Sequence, residues 1–136
     1  MVSIPVPPPR DRAGPAGTFE VSKTPEASVV AAAGELDLAV SDRLTALLDR
    51  EVRAMPPALL FDATAVTFCA ARVLTVLLDT TADASVLGVP FAVAGRSRAL
   101  LRPVTVLRLE QVLPIHEDTD EALAWLGLLP RLTEPV

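Results

Sequence analysis

The chain has 136 residues, 51 % of them hydrophobic and 21 % charged, which suits one packed core and leaves no room for a second domain. Twelve Lys plus Arg against seventeen Asp plus Glu give a formal net charge of -5 with no basic stripe, which argues against nucleic acid as a partner. One cysteine cannot form an intrachain disulfide, the N-terminus lacks the pattern of a signal peptide, and no uncharged apolar run approaches the ~20 residues that span a bilayer; the expectation is a cytoplasmic protein with no membrane partner.

Residues 1–17 hold Pro5, Pro7, Pro8, Pro9 and Pro15 with Gly14 and Gly17, and are expected to form a flexible proline-rich tail. Phe19 to Ser22 reads as a first edge strand. Ala27 to Ala33 is a clearer apolar run that Gly34 should stop. Ser41 to Arg53 places Leu44, Leu47, Leu48 and Val52 on one helical face, with Ser41 as cap, Asp42 at the positive end of the dipole and Met55-Pro56-Pro57 as the stop. Ala58 to Phe61 reads as a buried strand ended by Asp62-Ala63-Thr64.

Ala71 to about Leu87 is the next helical run, with Leu74, Leu77, Leu78, Thr81 and Ala82 as an apolar or small-residue face and Gly88 as its stop. Pro90 to Ala94 is a short strand. Ser97 to Leu109 predicts a third helix divided by Pro103, with its regular part starting near that residue. Val112 to Ile115 is a last strand, and Thr119 to Leu126 a last helix, capped by Thr119 and followed by Gly127; residues 130–136 are expected to be a loose end. Strands alternating with crossover helices predict an α/β domain over residues 18–129, with a mostly parallel, mixed sheet of about five short strands flanked by about four helices.

Little in this chain supports catalysis. His116 is the sole histidine, at the end of an apolar strand, and reads as a rim residue; no Cys or His companion sits at metal-ligand spacing, so neither a metal nor a cofactor is expected. Gly34 is too isolated for a phosphate loop, and Glu35 with Asp37 reads as a solvated loop better than as a glycosidase pair. Cys69 lies near a helix start but has only apolar neighbours and no basic partner, which predicts a buried, inert thiol. Thr64, Thr67 and Ser97 are loop hydroxyls expected to bond locally.

Gly34 to Leu38 reads GELDL, and Phe61 to Leu78 reads FDATAVTFCAARVLTVLL. In this order, and with a later arginine-rich helix, the two segments resemble the STAS domains, specifically the bacterial anti-sigma-factor antagonists. Those proteins carry a GELD-like segment and then the pattern D-L-S-x-V-x-F-[ILM]-D-S-[SA]-G-L before an apolar helix. By that resemblance Asp62 matches the acidic residue that ends the strand, and Val66 and Phe68 the apolar anchors. Ala70 stands where the family has aspartate, Ala71 where it has the serine phosphorylated by the anti-sigma kinase, Arg72 at the next small residue, and Val73 at the glycine.

The resemblance implies a regulatory protein-binding module and not an enzyme. Its partner would be an anti-sigma factor with an ATPase-like kinase domain, contacted through Glu35, Asp37, Thr67, Cys69, Ala70, Ala71, Arg72 and Val73. Alanine has no hydroxyl, so Ala71 cannot take the phosphate whose -1.5 to -2 charges, roughly, switch such an interface off. The alternative is a scaffolding domain that self-associates as a homo-oligomer or joins other STAS-like proteins; the leucine-rich end (Leu123, Leu126, Leu128, Leu129) exceeds what one core needs.

Overall fold

The computed structural model describes residues 16–109 and 111–128; the prolines of the expected tail before Ala16, Leu129 and the expected loose end lie outside the described residues. Among the described residues five strands form one sheet in the order β1-β2-β3-β4-β5: β1 (Thr18–Lys23), β2 (Ser28–Leu36), β3 (Leu59–Cys69), β4 (Phe91–Ala94) and β5 (Ile115–His116). β1 runs antiparallel to β2, and all later pairs are parallel, each parallel strand being reached through a helix or its turn. The helices are α1 (Leu38–Arg53), α2 (Ala71–Leu87), α3 (Arg98–Val106) and α4 (Thr119–Leu128). The expected α/β architecture with a mixed, mostly parallel sheet and four flanking helices is therefore the one observed.

Strand alternation decides the two faces. Leu59, Phe61 and Ala63 of β3, with Phe91 and Val93 of β4, point to one side, where Leu44 and Leu48 of α1, Leu74 and Leu77 of α2, and Leu100 and Val104 of α3 close the main core. Phe61 is fully buried, which contributes roughly 3 kcal/mol of apolar transfer. The opposite side presents Ala58, Leu60, Ala92 and Ala94, against which Ala122 and Leu126 of α4 pack. Alanines there leave no long side chains to hold the helix away. His116 sits at this rim, its ring 4.8 Å from that of Trp125 and its Nδ1 3.5 Å from Glu121 Oε1.

Several boundaries differ from the sequence expectation, each for a local reason. β2 does not stop at Gly34: that residue takes φ 84°, the register shifts between Gly34 and Glu35, and the strand continues to Leu36. α1 starts at Leu38 because Asp37, extended and ahead of the helix, accepts a 3.1 Å hydrogen bond from the Ala39 amide. Ser41 is then inside the helix, buried, its hydroxyl donating to the Leu38 carbonyl at 2.8 Å. β3 runs on from Phe61 to Cys69, so Asp62-Ala63-Thr64 is strand and not a stop.

α3 passes through Pro103 without being divided, and its regular part starts at Arg98. Buried Leu100 and Val104 hold it on either side of the missing amide. It ends at Val106, short of Leu109, where Arg108 turns left-handed at φ 58° and the Leu109 amide reaches back to the Val104 carbonyl. The last strand is Ile115–His116 and not Val112 to Ile115. Asp118, not Thr119, caps α4 by accepting from the Glu121 amide at 2.9 Å, and Gly127 lies within that helix. Ala16 and Gly17, expected in the tail, lie against the sheet: Ala16 bridges to Glu35, and the Gly17 carbonyl accepts from Arg43 at 3.0 Å.

Candidate partner-binding face

The two segments that stand out in the sequence meet at the carboxyl ends of β2 and β3. Glu35 pairs with Phe68 and Leu36 with Cys69, and the Ala70 amide donates to the Leu36 carbonyl at 2.9 Å. Asp37 and Ala70 are thereby held side by side as the residues that start α1 and α2. The two helix starts differ in one respect. Asp37 supplies a side-chain acceptor to its helix, whereas Ala70, at φ -72° and ψ 152°, has the backbone of a cap and no oxygen to offer.

The residues singled out from the sequence divide by exposure. Thr67, Ala71 and Arg72 are exposed, and Asp37 and Ala70 half-buried. Glu35 is not in a solvated loop: it is the penultimate residue of β2 and is 8 % exposed. Cys69 is buried, and burial pushes its thiol up to about 12, so it stays protonated and inert. Val73 is fully buried beside Leu74 in the main core, so its branched side chain fills the interior and alters no surface. Of the expected local hydroxyl bonds, Thr64 makes one at 2.7 Å to Asp62 Oδ1, while Ser97 Oγ is buried with no partner among the described residues.

The tertiary structure adds residues that the motifs do not contain. Of the two residues matched to apolar anchors, Phe68 is 49 % exposed and Val66 is buried. Beside Phe68, α3 and the end of β3 enclose an open groove of about 560 Å³, lined by Thr67, Ala71, Pro103, Val106 and Leu107 as well as by Arg98 and Arg102. Leu38, next to Asp37, is also exposed. The helical phase of α3 carried the signal: Leu100 and Val104 face the core one turn apart, which turns Arg98 and Arg102 outward together. Among the described residues no group of His, Cys, Asp and Glu is placed to hold a metal ion, and no helix is long and apolar enough to cross a membrane.

Comparison with known proteins agrees with this layout. A family model described as "Mlab, STAS domain" matches residues 19–115. An anti-sigma factor antagonist from Mycobacterium paratuberculosis is similar at 28 % identity and TM-score 0.73, over 82 % of this chain and 95 % of that one. The Bacillus cell fate determinant SpoIIAA in its phosphorylated form shares the fold at 14 % identity and TM-score 0.62, over 80 % and 99 %. A sulfate transporter family protein from Wolinella succinogenes shares it at 20 % identity and TM-score 0.64, over 76 % and 86 %. No curated protein sequence matches.

Proposed function

The chain belongs to the STAS domain family, and from that premise we propose that it is an anti-sigma-factor antagonist that phosphorylation at the start of α2 cannot switch off. Its partner is the ATPase-like kinase domain of an anti-sigma factor, met in the cytoplasm. The contact surface is Asp37 with exposed Leu38, then Thr67, Phe68, Ala71 and Arg72. The observation that carries the reading is Ala71: it is exposed at the first turn of α2, beside the Asp37-capped start of α1, and has no hydroxyl. A kinase that docks there finds no acceptor.

The test is a pull-down from native lysate followed by titration of the recovered kinase domain. Wild type should recover an ATPase-domain kinase and remain unphosphorylated with ATP, and Ala71→Ser should become a phosphate acceptor. Ala71→Asp should weaken binding by introducing a carboxylate into the contact, although Arg72 offsets part of that charge. Recovery of no such kinase, or an affinity that Ala71→Asp leaves unchanged, would overturn the assignment.

A further inference from the structure

The groove beside Phe68 has a complement on the same molecule. Its floor is apolar, with Phe68 49 %, Val106 72 % and Leu107 48 % exposed, and Arg98 and Arg102 stand over it one helical turn apart. Neither arginine has an ion-pair partner among the described residues. On the outer face of α2, Asp79, Asp83 and Val86 occupy positions i, i+4 and i+7 and so form one ridge. Val86 is 86 % exposed, and the two aspartates likewise have no ion-pair partner among the described residues.

We propose that a second copy of this chain docks the Asp79-Asp83-Val86 ridge of its α2 into the groove between the end of β3 and α3. The match is in spacing as well as in sign. Two arginines separated by one turn face two aspartates separated by one turn, and an exposed valine meets an exposed apolar floor. Groove and ridge are different surfaces, so the contact is heterologous: each copy keeps one free groove or one free ridge, and association continues to rings or chains unless it is capped. A foreign acidic helix would satisfy the same rim, but this chain itself carries one in α2. An anionic membrane fits less well, because Asp42, Asp49, Asp79 and Asp83 cover the adjoining α1–α2 surface and would be repelled. The association does not depend on the proposed kinase partner. Since it covers Phe68 and Ala71, it competes with any partner that uses them.

Sedimentation velocity over a concentration series tests this. Wild type should gain mass with concentration, and raised salt should reverse the gain. Arg98→Ala/Arg102→Ala and Asp79→Asn/Asp83→Asn should each weaken association roughly tenfold or more. Asp79, Arg98 and Arg102 are exposed and Asp83 is half-buried, and unchanged thermal midpoints would show that both variants fold. Each variant retains the surface that the other has lost, so an equimolar mixture should form a 1:1 heterodimer that grows no further. A wild type that stays monomeric, association untouched by either pair, or a mixture that fails to pair would overturn the proposal; so would monomers that bind only an added acidic peptide or anionic vesicles.

Discussion

Alkaline pH should destabilise this fold chiefly through one side chain. Burial raises the Cys69 thiol from 9.0 to about 12. Below pH 9 the folded and unfolded chains both hold the proton, and the group adds no pH dependence. Between the two values the unfolded thiol ionises while the folded one stays neutral, so unfolding releases a proton and stability falls as pH rises. The slope approaches about 1.4 kcal/mol per pH unit, so the loss is on the order of 1 kcal/mol at a pH of about 10 and a few kcal/mol one unit higher. The composition makes the effect readable, because the chain has no tyrosine and Lys23 is its only lysine. Urea unfolding of wild type and Cys69→Ala across this range isolates the thiol. The variant starts from a lower baseline through lost packing, which is independent of pH, and every other titrating group cancels in the difference. The gap between the two proteins should close as pH rises; parallel profiles would refute the account of Cys69 as a buried, neutral thiol.

The two helix starts should respond with opposite signs. Ala70→Asp adds the missing acceptor to α2 and should stabilise by about 1 kcal/mol, whereas Asp37→Ala removes the bond to the Ala39 amide and should cost about as much, both read from thermal midpoints that shift by about 4 °C per kcal/mol. Val73→Gly should cost about 2–4 kcal/mol in chemical denaturation, since it empties a fully buried site and loosens α2; a variant as stable as wild type would contradict that burial. Gly95→Ala should also destabilise, by about 2 kcal/mol or more, because Gly95 takes φ 112° and an added Cβ would lie 2.8 Å from the Ala63 carbonyl carbon.

The secondary structure was most legible where the sequence period was unbroken. α2 reads from Ala71 to Leu87 in both sequence and structure, with Gly88 closing it in the left-handed region at φ 76°. β2 could not be followed past Gly34, because a strand's alternation is interrupted at a bulge and resumes out of phase. β3 reads short for a different reason: Asp62 and Thr64 look like turn residues, yet they bond to each other within the strand, on either side of buried Ala63. Pro103 looked like a break, because the sequence cannot show that buried leucine and valine on either side hold the helix together.

The amino-acid sequence by itself determined the architecture, the family resemblance and the absence of a hydroxyl at Ala71, since these depend on residue identity and short-range order along the chain. Which residues face outward was decided only by the tertiary structure. Val73 and Cys69 lie in the same motif as Phe68 and Ala71, but the first two are enclosed by the helical layer and the last two are left at the surface. The groove likewise joins Phe68 to Arg98, Arg102 and Val106, far apart in the chain and brought together because the parallel strands end at one edge and α3 packs across it.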